Sequence, residues 1–263
     1  MMSFLRRAHA FCSMHGINPL TMARSLRYLP TFVSDIARYR RSPAEAGFPL
    51  RLGNLFPVLV DLHDSAGSAA SQSFIQDLWM ARRLIPHLAT TKGHNHLDIG
   101  SRIDGFVGSL LASGIQVTQV DIRPLPNPPQ GLTFLQDDAT RLASLKDGSV
   151  PSLSSLHAAE HFGLGRYGDP IDPSACFTFM HNLARVLKKG GRLYFCTPIG
   201  HERLEFNAHR IFNPARLLSL FAGAGLKVVE TAVITSQGQL LEGANPADHA
   251  HEDFANGLFI FTK

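Results

Sequence analysis

Cysteine is scarce: the 263 residues hold three, Cys12, Cys176 and Cys196. Their odd number, wide spacing and lack of any metal-like pair exclude a disulfide framework and a zinc site, and suit a reducing cytoplasm. No segment reaches the roughly 20 consecutive apolar residues of a membrane span. Arg6 and Arg7 are followed by an apolar stretch that His9, Ser13, His15 and Asn18 interrupt, which argues against a secretory leader. There is no internal repeat, no low-complexity tract and no basic run interleaved with aromatics, so nucleic acid is not an expected partner.

A hydrophobic content of 44% is enough for one full core plus an extension. The formal charge of +4 is unevenly placed: residues 1–41 carry seven arginines (Arg6, Arg7, Arg24, Arg27, Arg38, Arg40, Arg41) against one acid, Asp35. Such a segment is either a solvated helical face or a weak peripheral contact for an anionic membrane leaflet. The dispersed arginines and few aromatic anchors favour the solvated face. Residues 1–46 read as two helical pieces separated by Gly16 and Asn18-Pro19, with Pro30 and Pro43 as further breakers. Residues 47–70 are loop-like. The expected division is therefore a helical and loop extension or cap over 1–72 and a main domain over 73–263.

That domain opens on an amphipathic helix capped by Ser73, with Phe74, Leu78, Ala81, Leu84, Ile85 and Leu88 on one face. Strands are expected near 96–100, 116–121, 132–135, 152–157, 191–197, 226–235 and 257–262, and helices near 104–113, 140–145, 174–188 and 214–224. Alternation of this kind builds a mostly parallel sheet with crossover helices. The last two strands, with no long helix between them, close it with an antiparallel edge. Lys188-Lys189-Gly190-Gly191 reads as the cationic, glycine-stopped end of the third of these helices.

The stretch His96-Leu-Asp-Ile-Gly-Ser-Arg-Ile-Asp-Gly-Phe106 is a short strand ending in an acid and a glycine turn. A turn that leads from strand to helix beside a ligand favours glycine, which reaches positive φ and has no Cβ to block approach. Gly100 and Gly105 are present, but the third glycine of a dinucleotide fingerprint is missing, and Arg102 and Ile103 obstruct a pyrophosphate. A nucleoside bearing an amino acid, such as S-adenosyl-L-methionine, has no phosphate to cradle and suits this turn better. Asp121 closes the next strand, where a doubly wound sheet places a carboxylate against ribose hydroxyls. Asp137-Asp138 is either a helix cap or a ligand contact, and its order after Asp121 favours contact for Asp138.

The order Leu97-Asp-Ile-Gly100, Val120-Asp121, Gln136-Asp-Asp-Ala139, Ala159-Glu-His161 and Arg185-Val-Leu-Lys-Lys-Gly-Gly191 resembles the class I S-adenosylmethionine-dependent methyltransferases. More narrowly, Asp98-Ile-Gly-Ser-Arg-Ile-Asp-Gly-Phe106, Glu160-His-Phe-Gly-Leu-Gly-Arg-Tyr-Gly-Asp169, Asn207-Ala-His-Arg210 and Ser73-Phe-Ile-Gln-Asp-Leu-Trp79 resemble the domain of unknown function 268 family, over residues 50–263. The resemblance implies a seven-stranded Rossmann-like α/β sheet, mostly parallel with an antiparallel last strand. Asp98 is then expected among the cofactor-binding residues, Gly100, Ser101 and Gly105 at the methionine portion of the cofactor, Asp121 at its ribose, and Asp138 with Ala139 at the adenine edge.

Loops at the carboxyl ends of parallel strands form the ligand crevice. Glu160, His161 and His209 are therefore candidates for proton transfer, and Arg166, Tyr167, Asp169, Asn207 and Arg210 for acceptor binding. The expected activity is methyl transfer to a small-molecule or glycan acceptor, at oxygen, where a histidine base assists the attacking hydroxyl. Many methyltransferases have an acid where this chain has Ser149-Val-Pro-Ser152. That departure keeps a second function class in view, a non-catalytic methyltransferase-like scaffold in glycan assembly.

Overall fold

The computed structural model describes residues 18–41, 71–91 and 95–263, with isolated positions at 12, 16, 50, 53, 55, 57 and 59. The chain forms two compact units, Met1–Ser68 and Ala69–Lys263. In the first, helix α1 (Pro19–Arg41) begins on a proline, whose fixed φ suits a first helical position, and runs through Pro30 without ending there. The helical piece expected before Gly16 and most of the 47–70 loop lie outside the described residues.

The second unit is a sheet with helices on both faces. Its elements are α2 (Gln72–Thr91), β1 (Asn95–Ile99), α3 (Gly105–Ala112), β2 (Gln116–Asp121), β3 (Leu132–Gln136), β4 (Val150–Leu156), α4 (Ala175–Val186) and β5 (Leu187–Ile199). The chain continues with β6 (Arg203–Glu205), β7 (His209–Ile211), α5 (Pro214–Gly223), β8 (Lys227–Ile234), β9 (Leu240–Glu242) and β10 (Ala255–Thr262). The sheet order is β3-β2-β1-β4-β5-β10-β8-β9, and β6 and β7 pair as a separate antiparallel hairpin. Strands β1 to β5 are parallel, as the βα alternation requires.

On one face Trp79, Met80 and Leu84 of α2 and Phe106 and Leu110 of α3 pack over Val117, Tyr194 and Ile260. On the other, Phe179, Met180 and Leu183 of α4 and Leu217 and Phe221 of α5 pack over Leu153, Phe195 and Phe259. A sheet covered on both faces buries both sides of each central strand, so its strands read as near-continuous apolar runs.

Four details differ from the pattern read in sequence. The sheet has eight strands rather than seven, because the short β9 extends the β8 edge. The antiparallel strand β10 is not at an edge but sits between β5 and β8, bonded to both. Residues 140–145 form turns rather than a helix. There Arg185 donates to the carbonyls of Arg141, Leu142 and Leu145, and Asn182 to that of Thr140, taking acceptors that helical bonds would use. Helix α4 also ends at Val186, and Leu187 already pairs with Val150. Lys188 to Gly191 are the extra residues of a β-bulge, since the β4–β5 register shifts between Val150 and Ser152.

Candidate functional site

A cleft of about 290 Å³ opens at the carboxyl ends of β1, β2 and β4. It sits at the lower end of the range for ligand pockets, about 300–1,000 Å³. Of the residues nominated from sequence, Gly100, Ser101, Asp121, Asp138, Ala139, His161, Tyr167 and Asp169 line it. Asp98, Gly105, Glu160, Arg166, Asn207, His209 and Arg210 do not, and each is engaged or placed elsewhere.

The floor begins at Gly100, at φ +72°, where an added Cβ would come within 2.8 Å of the Ala158 Cβ. This turn is held from beneath by Asp98, which is fully buried. Asp98 Oδ2 accepts from Ser101 Oγ at 2.7 Å and from Ser154 Oγ, while Oδ1 accepts from the Ser101 backbone N–H at 3.2 Å. Burial raises the Asp98 carboxyl to about 6, against the opposing pull of these donors. Asp98 therefore shapes the turn from below.

His96 extends the same network. Its Nδ1 and Nε2 each lie 2.7 Å from a serine hydroxyl, Ser152 and Ser154 respectively. Because Ser154 donates to Asp98, it accepts from His96, which assigns the proton to Nε2 and makes Nδ1 the acceptor for Ser152. Burial pushes His96 down to about 3, so it is neutral. Ser152, in the stretch where many methyltransferases have an acid, is thus with Ser154 a partner of a buried histidine.

Gly105 has a structural reason of its own. Asp77 of α2 accepts from the Phe106 N–H at 3.1 Å, and a Cβ on Gly105 would lie 2.6 Å from Asp77 Oδ2. The carboxylate thereby reaches the N-terminal end of α3, where unpaired N–H groups favour negative charge. Burial and the nearby Asp104 charge raise the Asp77 carboxyl to about 6.

At the tip of β2, Asp121 is 8% exposed. Its Oδ1 accepts from the backbone N–H and Nε of Arg123 at 2.8 and 2.9 Å, and its Oδ2 from Nη2 at 2.5 Å. The same guanidinium lies 4.7 Å from the Tyr167 ring centre, and Tyr167 meets the His161 ring edge-on at 5.5 Å. A carboxylate has about four lone-pair positions. Three are taken by Arg123, so a ribose diol fits fully only when Nη2 moves off Oδ2, which the 39% exposure of the Arg123 side chain permits. Beside it, Asp138 lines the cleft while its Oδ1 accepts from the N–H and hydroxyl of Thr140.

The loop after β4 supplies the opposite wall. His157, at φ +52°, bonds through Nδ1 to Glu160 Oε1 at 2.8 Å, and Glu160 is fully buried. Burial alone would lower His157, but Cys196 and Glu160 overcome it and hold the imidazole well above its ordinary value. Burial would raise Glu160, and His157 reverses that, lowering it. The two form an ion pair. His161 is different: its Nδ1 lies 2.7 Å from the Ala208 carbonyl, which only accepts, so Nδ1 carries the proton and Nε2 is the unprotonated nitrogen, 3.8 Å from Glu160 Oε1. Burial lowers it, against the Glu160 charge.

The other nominated residues brace this loop. Asp169 accepts from the N–H groups of Gly163, Gly165 and Tyr167, tying the glycine-rich turn together. Arg166 donates to the Ala208 carbonyl at 2.8 Å, and Arg210 to the Phe162 carbonyl at 2.6 Å, joining the β6–β7 hairpin to the loop. His209 lies on that hairpin, 3.6 Å from Glu205, and Asn207 is exposed at its turn.

Cleft residues not nominated from sequence include Arg123, His157, Gln72, Phe162, Phe254 and Asn256. His157 stood two residues before Ala159-Glu160, within the same post-strand loop, and its position was the available signal. Asn256 lies at the start of β10 and Phe254 just before it, and they reach the rim because that strand is inserted antiparallel beside β5. Among the described residues no group of histidine, cysteine and acidic side chains could hold a metal ion.

Residues 147–240 match the family described as Caenorhabditis protein of unknown function, DUF268. A crystal structure of a SAM-dependent methyltransferase from Archaeoglobus fulgidus shares 17% identity, with 73% of this chain and 95% of that one covered and a TM-score of 0.52. The Burkholderia thailandensis 1,6-didemethyltoxoflavin-N1-methyltransferase, solved with S-adenosylhomocysteine, aligns at 17% identity over 74% of this chain and 84% of that one, with a TM-score of 0.49. The N-methyltransferase NodS of Bradyrhizobium japonicum aligns at 13% identity over 73% and 87%, with a TM-score of 0.47. No curated protein matches in sequence. The likeness to the Archaeoglobus enzyme is one of fold, the Rossmann-like methyltransferase sheet.

Proposed function

We propose that this protein is an S-adenosylmethionine-dependent methyltransferase that acts on a small-molecule acceptor at oxygen, a class that includes glycan hydroxyls. Its catalytic domain is the 73–263 part of the chain. The observation that carries the proposal is the meeting, in one cleft, of the Gly100 turn, the Asp121 carboxylate and the neutral His161. In this reading Gly100 and Ser101 hold the methionine portion, Asp121 the ribose and Asp138 with Ala139 the adenine edge. When bound, S-adenosylmethionine supplies an electrophilic methyl group.

The chain's own residues position, shield and deprotonate. His161 Nε2 takes the proton of the acceptor hydroxyl, and the Ala208 carbonyl keeps its ring in the right tautomer. The His157–Glu160 pair occupies the wall as a charged unit, so His157 serves as a donor and not as a base. Tyr167, Phe162 and Phe254 give the cleft an aromatic lining that excludes water around the reacting atoms.

A thermal-shift comparison tests the proposal. S-adenosylhomocysteine is expected to raise the melting temperature in a concentration-dependent way, and NAD to leave it unchanged. Protection by NAD and none by S-adenosylhomocysteine would replace the methyltransferase with a nicotinamide-dependent enzyme.

A further inference from the structure

Among the described residues, one buried polar side-chain atom of the cleft wall has no partner. Asn256 lines the cleft and is 2% exposed, and its Oδ1 is buried without a hydrogen bond. The amide orientation is fixed by a relay through α2. Gln72 donates from Nε2 to the Thr235 carbonyl at 2.8 Å, which turns its Oε1 toward Asn256, and Asn256 Nδ2 donates to that oxygen at 3.3 Å. A carbonyl accepts only, so neither amide can be reversed without losing the chain of bonds. Oδ1 is then the group that Asn256 has left for the cleft.

Position in the fold says which half of the cleft it serves. Asn256 pairs with Pro198 of β5 and Ile234 of β8, beyond β4 and on the far side of the sheet from β2 and Asp121. Its hydrogen-bond partner in the cleft wall is Gln72 of α2. A buried acceptor without a donor costs free energy, which a ligand that brings the donor recovers.

We infer that Asn256 is the acceptor-recognition residue of this cleft, its Oδ1 taking a hydrogen bond from an O–H or N–H group, so that the molecule bound beside it bears such a donor. This inference rests on the methyltransferase reading for the identity of that molecule as the methyl acceptor. His161 takes the proton of the hydroxyl that is methylated, so the donor that Asn256 reads is a second O–H or N–H group of the acceptor.

The test uses matched pairs that differ only by that proton: phenol against anisole, benzyl alcohol against benzyl methyl ether, and imidazole against 1-methylimidazole. Binding to the full chain saturated with S-adenosylhomocysteine is followed by ligand-observed NMR. The donor-bearing member of each pair is expected to bind about tenfold more tightly. Asn256→Leu abolishes the preference, and Asn256→Asp, which keeps an acceptor oxygen, retains it. Equal binding within the pairs by the native protein, or an unchanged preference in Asn256→Leu, overturns the inference. Failure of S-adenosylhomocysteine to bind removes the methyltransferase reading instead, and the same pairs titrated without it still decide whether Asn256 reads a donor.

Discussion

Asp121 and Arg123 show how one contact sets the energetics of a site. The guanidinium satisfies a carboxylate that is nearly buried, yet it holds lone pairs that a ribose would need. An ion pair with one partner substantially exposed contributes little, about 0–1 kcal/mol. Arg123→Ala is therefore expected to tighten S-adenosylhomocysteine by about two- to fivefold, measured by calorimetric titration. Weaker binding in that variant would mean that the arginine itself contacts the ligand. Glu160 behaves in the opposite sense, because its removal leaves an inward imidazolium without its counter-charge. Glu160→Gln should lose on the order of 3 kcal/mol of stability to urea and bring the His157 pKa down, as read from its ring proton shifts. An unchanged His157 titration would assign its charge to another cause.

At the scale of elements, the parallel strands and most helices follow from periodicity and punctuation, and the helix from Gln72 to Thr91 starts one residue before the expected cap. What sequence alone did not disclose depends on partners far along the chain. Residues 140–145 carry helical spacing, but Arg185 captures their carbonyls from α4. Gly105 sits where a cofactor glycine is expected, yet its missing Cβ makes room for Asp77, twenty-eight positions earlier. Asn256 lies near the end of the chain, and only the insertion of β10 between β5 and β8 carries it to the cleft. The turn at Gly100 was legible because its constraint is local. Gly100→Ala combines a positive φ with a 2.8 Å contact to Ala158, whereas Gly114→Ala combines a positive φ with open space. The second substitution should cost about 1–2 kcal/mol from backbone strain and the first clearly more, by denaturant midpoint. Equal losses would show that the close approach to Ala158 relaxes freely.

For the domain as a whole, the buried network from Ser152 through His96 and Ser154 to Asp98 couples stability to pH. Burial depresses His96 from 6.5 to about 3, so the unfolded chain takes up its proton first and stability falls as pH drops from 6.5 toward 3. Asp98 is raised from 3.8 to about 6, so its contribution runs the other way, stability being lost as pH rises from 3.8 through 6. Between pH 6.5 and about 6 His96 alone acts, whereas from about 6 to 3.8 the two oppose each other one proton against one, so this network leaves stability nearly level there. His96→Gln removes only the His96 contribution, so the melting temperature of the variant relative to the native protein should rise as pH falls from 6.5 toward 3, and a difference that does not change with pH would place the acid sensitivity elsewhere.

The central claim is that this cleft holds an adenosyl amino acid with Asp121 at its ribose. Isothermal titration of the native protein and Asp121→Ala with S-adenosylmethionine and S-adenosylhomocysteine addresses it most directly. One-to-one binding of both by the native protein is expected, with a loss of about tenfold or more in the variant, the worth of a charge-assisted hydrogen bond. No binding by well-folded native protein, or equal affinity in Asp121→Ala, would contradict it.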